Sequence, residues 1–96
     1  MKNISLTTGQ IRAARALLRW TADQLAQASG VSVVTIRRAE PIEGPLRMIP
    51  ANADALRRAL EAAGIVFIPE DGGGAGVDQG AAPRLGGYGA AGRAAQ

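Results

Sequence analysis

Apolar residues recur at helical spacing through most of the first 64 residues. They predict a first helix over 9–19, with Thr8 as its N-cap and Trp20 closing it. Its apolar stripe consists of Ile11, Ala14, Leu17 and Leu18. The clearest periodicity predicts a last helix over 51–63, which Gly64 terminates. The stripe of that helix consists of Ala53, Leu56, Ala59, Leu60 and Ala63.

Two shorter helices are predicted between these. Thr21 and Gln24 have the spacing of a capping box, which predicts a helix over 22–28. Ser32 can cap the next helix, over 33–39. Three prolines and a glycine then predict that residues 41–50 form a loop, with room for one turn around Leu46–Ile49.

A short apolar run, Ile65, Val66, Phe67 and Ile68, predicts a strand, with Gly76-Val77 as a short antiparallel partner. A lone hairpin is marginal in water, so it should pack on the helices or on a second copy of the chain. Both possibilities stay open, and these four residues are the candidate interface of a homodimer. Nine of the thirteen glycines follow Pro69. The chain therefore divides into a helical domain over 1–64, a strand or hairpin over 65–78 and a disordered Gly/Ala-rich tail over 79–96.

Composition narrows the fold class and the function. Three aromatic residues and many alanines favour an all-α domain of four to five small helices. With no Cys and no His, neither a disulfide framework nor a zinc finger is expected, and we expect no metal, cofactor or enzymatic activity. No membrane span or signal peptide is evident, so we expect a cytoplasmic protein. Residues 1–68 carry nine Lys and Arg against five Asp and Glu, a modest bias toward a polyanionic partner.

The most informative stretch runs from Thr21 to Glu40. Its spaced elements are Leu25-Ala26, Gly30-Val31-Ser32, Thr35-Ile36 and Glu40. In this pattern Gly30 and Val31 make a tight turn, and Ile36 anchors the third helix, over 33–39, in the core. Over about residues 7–64, the chain resembles the Xre family of bacterial and phage regulators, which includes the lambdoid phage repressors and Cro proteins. The resemblance implies a Cro/C1-type helix-turn-helix, a domain that binds double-stranded DNA and regulates transcription.

The resemblance also implies roles for individual residues of the recognition helix, about 32–39. It implies base contacts at Val33, Val34 and Arg38, and DNA-backbone contacts around Ser32, Thr35 and Arg37. It further implies an ion pair between Arg15 and Glu40. From its position alone Val33 is equally compatible with the core, whereas Val34 is expected to point outward.

Two positions depart from the family pattern and keep a second function open. The family usually begins its second helix with a Gln that donates to a phosphate, and Ala22 cannot do so, although Thr21 or Arg12 could replace that contact. Glu43 lies in a loop that in the family contacts phosphate, and its charge would repel it. The alternative is therefore a protein-contacting regulator on the same fold, an antitoxin or an activator that contacts RNA polymerase.

Overall fold

Four helices and a two-stranded antiparallel sheet lie within residues 5–69 and 75–80, which are the part of the chain that the computed structural model describes. In chain order the elements are α1 (Thr8–Leu18), α2 (Ala22–Ser29), α3 (Val33–Ala39), α4 (Pro50–Ala62), β1 (Ile65–Ile68) and β2 (Gly76–Gln79). The described residues are mostly helical, and every predicted helix is present within one residue of its predicted bounds.

The first helix begins one residue earlier than predicted, with Thr7 rather than Thr8 as its N-cap. Thr7 Oγ1 accepts from the backbone N–H of Gln10 at 3.1 Å, and Gln10 Oε1 accepts from the Thr7 N–H at 2.9 Å. Thr8 is buried, and its backbone N–H donates to the Gly44 carbonyl at 3.0 Å. A long-range contact thus decides between two neighbouring threonines that have the same local propensity for the cap.

The helices surround a small aliphatic core. Its members are Leu6, Ile11, Ala14, Ala22, Leu25, Val31, Ile36, Leu56, Leu60, Ile65 and Phe67. Leu17, which the sequence placed on the apolar stripe of α1, is instead exposed, whereas Leu18 packs against the core. At about 100° per residue, Leu18 lies seven positions from Ile11 and returns to the buried face, but Leu17 falls well off it.

The hairpin is a part of this core and not an appendage. Antiparallel pairing of β1 with β2 sets Ile65 opposite Gln79 and Phe67 opposite Val77. Ile65 and Phe67 point inward, in keeping with the two-residue period of a strand. The second strand is longer than predicted because its pairing continues to Gln79, so the predicted disordered tail cannot begin at residue 79. Residues 81–96 lie outside the described residues.

A buried glutamine fastens the hairpin to the first helix. Gln10 Nε2 donates to the Ile68 carbonyl at 3.0 Å and to the Gly76 carbonyl at 2.9 Å. The same side chain completes the capping box of Thr7, so all of its polar atoms have partners. One amide therefore joins the start of α1 to both strands.

The segment between α3 and α4 is irregular, as predicted, but it contains no helical turn around Leu46–Ile49. The backbone N–H of Leu46 instead donates to the Leu6 carbonyl at 2.9 Å, which makes this part of the loop extended. The side chains of Leu46 and Met48 pack against the core. Pro50 then begins α4, at a position where the missing N–H costs nothing.

Candidate nucleic-acid interface

A tight turn joins α2 to α3. Gly30 has φ +81°, a conformation that disfavours side chains, and its N–H donates to the Ala26 carbonyl at 2.8 Å. The next N–H, that of Val31, donates to Ser29 Oγ at 3.1 Å, while the Val31 side chain is buried. These contacts fix the direction in which the chain leaves α2 and enters α3.

The third helix has a buried face and an exposed face. Ser32 Oγ caps it by accepting from the backbone N–H of Val34 at 3.1 Å and of Thr35 at 3.4 Å. Ile36 and Ala39 are buried against the core. The opposite face carries Val34, which is 55% exposed, together with the exposed Arg37 and Arg38. A short apolar-and-cationic surface therefore projects from the domain.

The two candidate valines have different environments. Val33 is half-buried and packs against the core, so the ambiguity left by the sequence is settled toward a partly structural role. Val34 points outward, as predicted. Thr35 is half-buried and Ser32 is exposed. Of the two candidate apolar base contacts, only Val34 has most of its side chain available.

An ion pair ties the end of α3 to α1. Arg15 donates from Nε to Glu40 Oε2 and from Nη2 to Glu40 Oε1, both at 2.8 Å, and from Nη1 to the Trp20 carbonyl at 2.8 Å. The side chains are only 23% and 11% exposed. The hydrogen bonds to Glu40 raise the pKa of the Arg15 guanidinium, against the opposing effect of burial. The bidentate geometry holds the C-terminal end of α3 in one orientation.

A second arginine, which the sequence had marked only as a possible phosphate ligand, supports the same end of α3. Arg12 Nη1 donates to the Glu40 carbonyl at 2.7 Å, and its Nη2 lies 3.0 Å from Glu43 Oε2. Arg12 is therefore already engaged, and its guanidinium balances the charge of the exposed Glu43. The sequence could have indicated that both arginines reach the same partner, because Arg12 and Arg15 are three residues apart on one helix face.

The two exposed arginines of α3 are not equivalent. Arg37 Nη2 lies 3.3 Å from Asp23 Oδ2 on α2, and both side chains are well exposed. Within residues 5–69 and 75–80, no carboxylate lies within ion-pair distance of Arg38. Arg38 is thus the more available cation on this face.

The start of α2 presents polar groups beside that face. Thr21 Oγ1 accepts from the Gln24 N–H at 3.1 Å and keeps its own hydroxyl hydrogen for another acceptor. Gln24 Oε1 accepts from the Thr21 N–H at 2.8 Å, which orients the exposed Gln24 amide. Ala22 is buried, so it belongs to the core and contributes no polar group. Gln24 is a further candidate for contact with a nucleic acid. The sequence did not single it out, because its capping-box spacing with Thr21 indicated only a structural role.

A groove between the end of α3 and the start of α4 adjoins the exposed face. We refer to it as the α3–α4 groove; it has a volume of about 370 Å³. Its lining includes Thr35, Arg38, Ile42, Arg47, Met48 and Ile49. Arg47 and the apolar residues of this loop have no distinguishing signal in the sequence, since they become neighbours of α3 only when the loop folds back along it.

The four candidate dimer residues divide between the two faces of β1. Ile65 and Phe67 are buried within the monomer, and so their side chains are not available to a second copy. Val66 and Ile68 are 49% and 41% exposed. The expected four-residue interface is thus reduced to these two side chains by the strand alternation.

Comparison of the chain with known protein families, curated proteins and solved structures finds no match. Among the described residues, no helix combines the length and the apolar character needed to cross a bilayer. The same residues contain no cluster of three or more side chains of the types that bind metals.

Proposed function

We propose that this chain binds double-stranded DNA sequence-specifically as a Cro/C1-type helix-turn-helix and regulates transcription, with α3 as its recognition helix. The observation that carries the proposal is the two-sided character of α3. Its inner face is fixed by Ile36 and Ala39 and by the Arg15–Glu40 pair, while its outer face presents Val34, Arg37 and Arg38. The motif residues between Thr21 and Glu40 support the same proposal.

In this proposal the exposed face of α3 enters the major groove, where each base pair has a distinct pattern of donors and acceptors. Arg38, which has no carboxylate within ion-pair distance in the described part of the chain, can donate bidentately to guanine, and Val34 can pack against a thymine methyl group. We assign phosphate contacts to the Thr21 and Ser32 hydroxyls and the Gln24 amide, because such contacts set the register and orientation of a protein on DNA.

Arg37 is expected to contribute less than its charge suggests. It faces Asp23, so a phosphate must compete with a carboxylate for its guanidinium. Because both side chains are exposed, water screens this pair and a phosphate can still displace Asp23 in part, so we assign Arg37 to backbone contact and Arg38 to base readout. The Arg–Asp pair also keeps one acidic group at the edge of the interface.

The proposal is tested by finding a binding site and then removing the two arginines separately. Sheared genomic DNA retained by the purified chain would be sequenced, and the enriched site would be used as a labelled duplex in fluorescence anisotropy. Arg38→Ala should weaken binding to this site by about 1–3 kcal/mol and relax selectivity at one base pair. Arg37→Ala should weaken binding to all duplexes alike and reduce the magnitude of the slope of log K against log salt by about 0.9.

The matched control is Arg58→Ala on α4, which removes an exposed charge that pairs within its own helix. It should leave the affinity and the salt slope unchanged. If Arg38→Ala binds the enriched site as tightly as the Arg58→Ala control, α3 is not the recognition helix. If no sequence is enriched at all, sequence-specific binding is ruled out for the chain by itself.

The proposed regulator is a homodimer. A single module of this size buries little DNA surface, and two copies reading half-sites about one helical turn apart would double the contact. Val66 and Ile68 are the exposed apolar side chains of β1 through which two hairpins can meet. The alternative partner, another protein, is favoured by a different observation, the apolar lining of the α3–α4 groove.

A further inference from the structure

The α3–α4 groove exposes more apolar surface than a phosphate-facing surface would use. Ile42 and Ile49, on the loop before α4, are 48% and 62% exposed, and Met48 lines the same groove while packing against the core. Exposed apolar side chains that cluster beside polar ones are typical of protein-binding surfaces. Such side chains give nothing to a DNA phosphate, which needs N–H or O–H donors and retains water.

The charged residues of this groove are all of one sign. Arg38 and Arg47 line it, and its lining contains no acidic side chain. Neither arginine has a carboxylate within ion-pair distance among the residues that the structure describes. This differs from five other arginines of the domain, which are paired: Arg12, Arg15, Arg37, Arg57 and Arg58. The groove therefore combines an apolar floor with two uncompensated cations.

We propose that the α3–α4 groove binds a segment of a partner protein that carries acidic side chains next to large apolar ones. The volume of about 370 Å³ accommodates a few side chains, which is the scale of a peptide anchor and not of a whole domain face. Arginine and methionine are enriched at protein interfaces, and both line this groove. Carboxylates of the partner would pair with Arg38 and Arg47 while its apolar residues cover Ile42 and Ile49.

Occupation of the groove excludes DNA, a consequence that rests on the proposed function. Thr35 and Arg38 belong both to the groove and to the proposed DNA-contacting helix. A carboxylate held by Arg38 removes the guanidinium that would read a base, and its negative charge repels the adjacent phosphates. The partner is thus an inhibitor of DNA binding. By the same linkage, bound DNA lowers the affinity of the chain for the partner.

The groove is tested directly with a phage-displayed library of random 12-residue peptides panned on the full chain. The Arg47→Glu and Ile49→Asp variants serve as counter-targets. Asp at position 49 supplies a side-chain N-cap that α4 lacks, so this variant should fold. The enriched peptides should contain at least two acidic and two large apolar residues. A fluorescein-labelled consensus peptide should bind each variant at least about tenfold more weakly than the parent chain.

Matched controls are Arg19→Glu, another exposed arginine without a described carboxylate partner, and Leu17→Asp, another exposed apolar position. Both should change the affinity for the peptide less than about twofold. Enrichment of basic or purely polar peptides, or no enrichment, overturns the proposal. So does a result in which Arg47→Glu weakens duplex binding but not peptide binding, since the groove would then be a phosphate site.

Displacement of labelled duplex DNA by the unlabelled consensus peptide tests the competition separately. The peptide should displace DNA from the parent chain and fail to displace it from Ile49→Asp. Peptide binding without displacement overturns the competition and leaves the docking site standing. A chain that binds the peptide but no DNA contradicts the proposed function alone.

Discussion

Loss of the Glu40 carboxylate should cost the domain a large part of its stability. In Glu40→Ala, Arg15 keeps its hydrogen bond to the Trp20 carbonyl but loses both bonds to the carboxylate in a site where it is only 23% exposed. Breaking a buried pair costs about 3–5 kcal/mol, and the partial exposure favours about 3 kcal/mol here. A domain of this size has a free energy of unfolding of about 4–10 kcal/mol. Urea unfolding followed by circular dichroism should therefore show a midpoint lowered by about 3 M, for a slope of about 1 kcal/mol per M.

Two variants separate the buried charge from the loss of a side chain. Arg15→Met with Glu40→Leu removes both charges and should recover most of the lost stability, because no unpaired charge remains buried. Asp23→Ala breaks the exposed pair with Arg37 and should cost about 1 kcal/mol or less. If Glu40→Ala and Asp23→Ala lower the free energy of unfolding equally, the buried pair does not hold α3 as argued.

Three further predictions concern the hairpin and the turns. Gln10→Ala should lower the free energy of unfolding by about 2–3 kcal/mol, because it removes the capping-box amide and leaves two hairpin carbonyls without their donor. Hydrogen-exchange measurements should then show that the backbone amides of the hairpin exchange faster. Gly30→Ala should lower the melting temperature, because a side chain at φ +81° is strained by about 1–2 kcal/mol. Gly9→Ala should raise the melting temperature, because Gly9 lies within α1 and the added methyl group would make only ordinary contacts. Val66→Asp with Ile68→Asp should halve the mass measured by light scattering and keep the fold; an unchanged mass would exclude the β1 face as the dimer contact.

The helices were predictable because their signals are local. A capping box at Thr21 and Gln24, a cap at Ser32 and a glycine at position 30 each specify one backbone conformation from a few neighbouring residues. The outward direction of Val34 also followed from helical geometry. The inward alternation of Ile65 and Phe67 is equally local, but the sequence could not tell whether a second copy or the monomer's own helices would cover them.

The remainder depended on contacts between distant residues. The selection of Thr7 over Thr8 as the cap reflects the proximity of Gly44, which no local pattern contains. The pairing of Arg37 with Asp23 reduces the availability of a cation that appeared free in the sequence. The α3–α4 groove likewise arises only when the loop folds beside α3, so Arg47 had no distinguishing signal along the chain.

The attachment of the hairpin through Gln10 also constrains the order of folding. The two carbonyls that accept from this side chain lie 58 and 66 residues further along the chain. Closing contacts of such separation is entropically costly, so the hairpin should join the helices late. During synthesis on the ribosome, the four helices emerge before β1, the strand that contributes Phe67 to the core. The nascent chain cannot complete its core until Gly76, the second acceptor of the Gln10 side chain, has been added. A termination codon shortly after α4 would therefore yield a fragment with an open core and not a minimal domain.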